Sequence, residues 1–163
     1  MTPNEAGDAP ALSHVRADGT AHMVDVSGKA VTARQAVAQS VLETSAGVVA
    51  MITDGSLPKG DALAVARVAG IMAAKQTSTL IPLCHPLPIS RVSVDFAADA
   101  GTVTVTALVK TTSVTGVEME ALTAASIAAL TLYDMIKAVD PRAVIRETKV
   151  LSKTGGKSGD WSV

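Results

Sequence analysis

The order of elements legible in this sequence, β-α-α-β-β-α-β, predicts an α+β fold: a ferredoxin-like antiparallel sheet with helices packed on one face. Three observations carry that expectation. Two alternating runs, Arg91-Val92-Ser93-Val94-Asp95-Phe96 and Thr102-Val103-Thr104-Val105-Thr106, flank Ala100-Gly101 and read as a hairpin. A mainly apolar stretch from Val117 to Val139 stops at Asp140-Pro141 and reads as the longest helix. The 163 residues, 48% hydrophobic and 18% charged, suit one domain with one core.

Taken in order, residues 1–21 carry Pro, Gly, Asp and Glu without periodicity and read as a flexible N-terminal tail, leaving 22–163 as a single domain. Val31 to Glu43 suits strand or helix by propensity; strand is preferred because the remaining pattern needs one there. Residues 44–54 read as a helix that stops at the turn signal Asp54-Gly55. Gly60 to Ser78 reads as a longer helix. Its apolar positions leave Asp61, Arg67 and Lys75 as the charges, so most of it should be buried. Pro82, Pro86 and Pro88 forbid helix through the next stretch, which is apolar but irregular and contains Cys84-His85. Thr115-Gly116-Val117-Glu118 fits a capping box at the start of the long helix. A last strand, Ala143 to Leu151, leads into Lys153-Thr154-Gly155-Gly156-Lys157-Ser158-Gly159.

Composition excludes several classes of function. Aromatics are 2% of the chain (Phe96, Tyr133 and Trp161), so the core must be built from Ala, Val, Leu, Ile and Met, and self-association would add burial. A net charge of -1 gives no general footprint for nucleic acid, and base-stacking platforms are lacking. From Lys137 to the end, however, six basic residues face three acidic ones, an excess suited to a small anionic ligand. The single cysteine excludes an internal disulfide and fits a cytoplasmic location. No stretch approaches 18 uninterrupted apolar residues, and no secretory signal is visible, so no membrane association is expected.

The glycine-rich C-terminal stretch is not a Walker loop, because Leu151 stands where its first glycine is required. Backbone amides there, with Lys153 and Lys157, could still hold phosphate; a flexible basic terminus is the plain alternative. His85 can donate or accept near working pH, or simply hydrogen-bond backbone at the edge of the core. Cys84 has the ordinary role of packing. Three histidines and one cysteine show no metal-ligand spacing, so no metal site is expected. Glu118 and Glu120 suit the positive end of the long helix. Asp134 and Lys137 share a helix face among Leu132, Met135, Ile136 and Val139, where the Asp could tune the Lys for proton transfer; a surface ion pair is the ordinary meaning. Glu120 and Asp134 point within about 40° of each other but lie about 21 Å apart along the axis. If both serve one ligand, the site is completed across a subunit contact.

Several stretches together resemble the cyclic pyranopterin monophosphate synthases of molybdenum-cofactor biosynthesis. They are Met23-Val24-Asp25-Val26; Lys59-Gly60-Asp61 with Ala66 to Ile71; Leu80 to Leu87; Thr115 to Thr123; Tyr133-Asp134-Met135 with Lys137-Ala138-Val139; and Lys153 to Asp160. They run in the family's order from Met23 to Trp161. The resemblance implies a lyase that converts 3′,8-cyclo-7,8-dihydro-GTP, made by an upstream radical SAM GTP cyclase, into cyclic pyranopterin monophosphate and pyrophosphate. It implies the ferredoxin-like fold and a homohexamer, a trimer of dimers, with sites at the dimer contact. It implies that Leu83, Cys84, His85, Met119 and Glu120 line the substrate pocket, that Asp134 is the acid/base with Lys137 beside it, and that Lys59, Lys153, Arg34 and Glu118 belong to the site. No redox step and hence no redox cofactor is implied; Mg²⁺ accompanying the triphosphate is left open. Val114 departs from the family pattern, where a polar or basic residue is expected. The alternatives from other classes are a non-catalytic pterin- or nucleotide-binding module, which would need no acid/base pair, and a structural oligomerisation domain.

Overall fold

The computed structural model describes residues 15, 16, 18–157 and 159–163. Residues 1–14 and 17 of the expected tail lie outside them, as does Ser158; within that tail, Val15 and Ala21 form an isolated antiparallel bridge. The chain then builds β1 (Thr32–Glu43), α1 (Ala46–Asp54), α2 (Ala62–Lys75), the short α3 (Thr77–Leu80), β2 (Ile89–Asp99), β3 (Thr102–Ser113), α4 (Glu118–Ile136), β4 (Val144–Thr154) and β5 (Trp161–Ser162). The sheet order is β2-β3-β1-β4-β5, and every pairing is antiparallel. This is the expected α+β, ferredoxin-like arrangement. Its hairpin strands are longer than the alternating runs suggested, and β5 adds an unpredicted edge strand.

Strand alternation sorts the sheet's residues. Ala36, Ala38, Ser40 and Leu42 of β1 and Val103, Val105, Ala107 and Val109 of β3 are fully buried. Their alternates, such as Val37, Val41 and Leu108, are only half-buried. Helix α4 lies across β1, β3 and β4 and packs along α2, burying Ala121, Ala124, Ala125, Ala128, Ala129 and Leu132. By length and hydropathy α4 could cross a membrane, but this alanine face is part of the protein core.

The helices meet at close range. A side chain on Gly70 would stand 2.9 Å from the carbonyl oxygen of Ala124. Such proximity admits only small residues, which corrects the expectation that most of α2 is buried. Its buried residues are Ala62, Ala66, Gly70, Ala73 and Ala74, while the larger Val65, Val68 and Met72 are exposed. Asp61 caps α2 by accepting from the Ala64 amide at 2.9 Å, and α1 ends as predicted at Gly55 in the left-handed conformation.

The start of α4 also differs from expectation. Val117 occupies the cap position, no side chain caps the helix, and the capping box is not formed. Glu118 instead reaches across to Lys153 on β4 at 3.1 Å. An ammonium with 11% side-chain exposure is a stronger partner for a carboxylate than an amide that water can reach.

Candidate functional site

Two clefts meet at the N-terminal end of α4. The smaller, of about 400 Å³, is walled by Val24, Val26, Leu83, Cys84, His85, Leu87, Met119 and Glu120. The larger, of about 990 Å³, is lined by Gly28, Ala30, Thr32, Arg34, Val114, Lys153, Gly156 and Lys157. Lys29, Thr115, Gly116 and Glu118 line both, so the two are continuous. The smaller mixes the apolar Val24, Val26, Leu83, Leu87 and Met119 with His85 and the Glu118 and Glu120 carboxyl groups, and the larger gathers Arg34, Lys153 and Lys157. Both volumes lie in the range of small-molecule sites.

The proline-interrupted stretch positions the first half. Released from helix after α3, it runs irregularly beside the start of α4 and presents Leu83, Cys84 and His85 to the cleft. His85 Nε2 lies 2.8 Å from the carbonyl oxygen of Val24, the backbone bond weighed as its ordinary alternative. Glu120 is 4% exposed. Burial, with the neighbouring Glu118 charge adding to it, pushes its carboxyl up to about 7. Burial and then the Glu120 charge raise the Cys84 thiol, which makes it a poor thiolate and fits a packing role.

In the second half, β1 and β4 bring Arg34 and Lys153 to the helix-covered face, where Ala36 pairs with Lys153. Arg34 donates from Nε to the Ser113 carbonyl at 2.9 Å and from Nη2 to the Val114 carbonyl at 3.1 Å. It therefore ties β1 to the loop before α4. Val114 contributes its carbonyl to this clasp, a role that tolerates the departure at that position. Within the glycine-rich stretch, residues 155–157 turn the chain at the end of β4. Gly155 and Gly156 have φ of +83° and +86°, and side chains there would lie 2.2 Å from the Ala33 carbonyl oxygen and from Arg34 Nη1. Asp160 accepts from the Gly155 amide at 2.7 Å, and β5 then pairs back on β4, so Lys157 is held at the cleft.

Asp134, Lys137 and Lys59 stand apart from these clefts, near the C-terminal end of α4. Asp134 lies 2.8 Å from Lys137 and 3.0 Å from Lys59, whose ammonium also donates to the Asp134 carbonyl at 2.8 Å. The Asp134–Lys137 pair forms on one helix face and Lys59 joins it, but not in apolar surroundings: side-chain exposures are 56% for Asp134, 53% for Lys137 and 40% for Lys59. The α4 side chains around it turn inward, whereas Asp134 projects out. Its hydrogen bonds to Lys137 and then Lys59 lower the Asp134 carboxyl, and Asp134 in turn raises Lys137. Asp134 and Lys137 thereby stabilise each other's charged forms. The fourteen helical steps of α4 from Glu120 to Asp134 keep the clusters about 21 Å apart along the axis.

The structure thus unites Leu83, Cys84, His85, Glu118, Met119, Glu120, Arg34 and Lys153 in one groove, and Lys59, Asp134 and Lys137 in a separate exposed cluster. Sequence reasoning missed Lys29, which lines both clefts; its position after Ser27-Gly28 was the available signal. Among the described residues no group of three or more His, Cys, Asp or Glu is arranged for a metal.

Residues 23–156 match the model of the MoaC family. A relative from Corynebacterium efficiens named cyclic pyranopterin monophosphate synthase is 64% identical over 152 residues, covering 93% of this chain and 98% of the relative. One from Mycobacterium tuberculosis, cyclic pyranopterin monophosphate synthase 2, is 62% identical over 151 residues, covering 93% and 90%. A Streptomyces avermitilis synthase is 55% identical over 168 residues, covering 99% of both. The family match takes in the Lys59–Asp134–Lys137 cluster and every residue lining the two clefts except Lys157, and this chain belongs to the MoaC family.

Proposed function

We propose that this chain is an enzyme of molybdenum-cofactor biosynthesis that converts 3′,8-cyclo-7,8-dihydro-GTP into cyclic pyranopterin monophosphate with release of pyrophosphate. The observation that carries the reading is the joining of two clefts of unlike chemistry, one holding the buried Glu120 carboxyl and His85 beside apolar side chains and one gathering Arg34, Lys153 and Lys157. A ligand with a fused ring at one end and a triphosphate at the other matches that division. The relatives named as synthases support catalysis over a purely binding module.

In this reading Leu83, Cys84 and Met119 wall the ring system, and Glu120 hydrogen-bonds it. Lys153, Lys157 and the Arg34 region face the phosphates, with Glu118 holding Lys153 in place. Phosphate cyclisation expels pyrophosphate and requires negative charge held in fixed geometry. Opening the purine five-membered ring breaks C–N bonds with water, closing the pyrazine ring forms C–N bonds with loss of water, and both need accompanying proton transfers. Asp134, Lys137 and Lys59 supply them. Because that cluster is about 21 Å along α4 from Glu120, it serves the groove of a second subunit in a symmetric dimer. Three such dimers form a hexamer, a reading supported by the exposed Val65, Val68 and Met72 stripe and by the low aromatic content. Residues 22–163 act as one domain in the cytoplasm, fed by the upstream radical SAM GTP cyclase. Mg²⁺ travels with the triphosphate as part of the substrate.

The test is a single-turnover assay with purified protein and 3′,8-cyclo-7,8-dihydro-GTP, reading pyrophosphate and oxidised pterin, for wild type and Lys137→Ala. Product from wild type and almost none from a folded, substrate-binding variant supports reaction and residue together. Binding without turnover by wild type leaves the binding-module alternative standing.

A further inference from the structure

We infer that His85 acts as a positioning residue, pinning the extended segment 22–30 across the groove so that Lys29, carried on that segment, binds the substrate's phosphates where the two clefts join. The inference rests on the reading of the ligand as a triphosphate.

Residues 22–30 form neither helix nor strand. The segment nevertheless alternates: His22, Val24 and Val26 are partly buried, while Met23 and Asp25 are exposed. Val24 and Val26 are thereby turned to the groove as part of its wall. A segment without ladder hydrogen bonds must be held by other contacts. The His85 ring supplies one, 2.8 Å from the Val24 carbonyl. A carbonyl only accepts, so Nε2 is the donor. Immediately beyond, the chain turns sharply. Asp25 accepts from the Ser27 amide at 2.9 Å, and the Val26 carbonyl accepts from the Lys29 amide at 3.0 Å. The turn delivers Lys29 to the seam shared with Thr115, Gly116 and Glu118.

Lys29 shares with Lys157 the lack of an ion pair among the described residues, but it alone of the two lies where the clefts join. Lys59 and Lys137 are paired with Asp134, and Lys153 is paired with Glu118. Among the described residues Lys29 forms no ion pair. An ammonium where the two clefts join, without an ion-pair partner among the described residues, suits the part of the triphosphate that leaves as pyrophosphate. Its placement depends on a loop, and that loop depends on the imidazole of His85. His85 and Lys29 should therefore act as one unit.

Calorimetric titration of the full-length chain with inorganic pyrophosphate tests this. Lys29→Ala should weaken binding roughly tenfold, the loss of one charge-assisted contact, and Lys29→Arg should retain most of it. His85→Ala should give a comparable loss and faster amide hydrogen exchange at residue 29, while His85→Gln, which keeps a donor near the Nε2 position, should retain binding. The double variant Lys29→Ala/His85→Ala should bind no more weakly than the weaker single variant. Additive losses would overturn the coupling, showing that the imidazole acts on the ligand separately. Unchanged binding by Lys29→Ala in a folded protein would remove the phosphate role. Failure of wild type to bind pyrophosphate at all would remove the triphosphate reading itself, and this inference with it.

Discussion

Glu118 and Lys153 are joined at 3.1 Å at the groove floor, and the Glu118 carboxylate lies over Gly116 so closely that a side chain there would stand 1.9 Å from its oxygen. The first helical residue of α4 is thus fastened to a strand remote in sequence, and the glycine two positions earlier makes room for the contact.

Gly116→Ala should therefore displace the Glu118 carboxylate and release Lys153 without unfolding the chain. With the pair only partly buried, the stability loss should be about 1–2 kcal/mol. Substrate turnover should fall at least about tenfold, because the lysine loses its fixed position. Urea denaturation and the pyrophosphate-release assay read the two effects separately. A stable variant with full activity would show that Glu118 need not hold Lys153.

Glu120 gives a pH signature. Its carboxyl is raised from the ordinary 4.5 to about 7 by burial and by Glu118. Between those values the folded chain keeps a proton that the unfolded chain has lost, so stability falls as pH rises through this window. The full cost, on the order of 3 kcal/mol, is absent below about 4.5 and complete above about 7. Glu120→Gln should flatten that slope in denaturation curves measured from pH 4.5 to 7.5. An unchanged slope would assign the titration elsewhere.

Asp134→Asn should leave thermal stability within measuring error, because its two ion pairs are exposed. Turnover should nevertheless drop by roughly 10²–10⁴-fold, the usual worth of a positioned acid/base group. A variant that turns over normally would leave the cluster as a surface ion pair.

A composite site predicts complementation. Lys153→Met and Asp134→Asn, each inactive alone, should regain about a quarter of wild-type activity when equal amounts are mixed under subunit exchange, since half the dimers are mixed and each has one unmutated site. Subunit exchange itself is followed by fluorescence transfer between labelled variants. No recovery despite exchange would confine the site to one chain.

Gly155→Ala should be among the more damaging single-methyl changes. The left-handed backbone costs about 1–2 kcal/mol for an alanine, before counting its collision with the Ala33 carbonyl. Chemical denaturation should show at least that loss, and pyrophosphate affinity should fall as Lys157 is released from the cleft. A neutral result would mean that the turn can rebuild in another conformation.

The hairpin of β2 and β3, the end of α1 at Gly55 and the path of α4 were all legible in the sequence, because each follows from local periodicity and local breakers. The wide separation of Glu120 and Asp134 was legible too, since a regular helix fixes both angle and rise. Local patterns misled where a partner from elsewhere in the chain competed. Thr115 and Glu118 spell a capping box, yet Lys153 takes the carboxylate. Val65, Val68 and Met72 spell a buried helix, yet the approach of Gly70 to Ala124 reserves the interface for small residues. A backbone bond for His85 was legible as its ordinary alternative, but its partner, the Val24 carbonyl, and the place of Lys29 at the seam of two clefts depend on distances that no spacing encodes. The sequence by itself determined the elements, their order and the chemical types available; tertiary structure alone decided which charges met, which apolar faces stayed outside and how the groove was walled, because burial and charge pairing depend on distance through space and not along the chain.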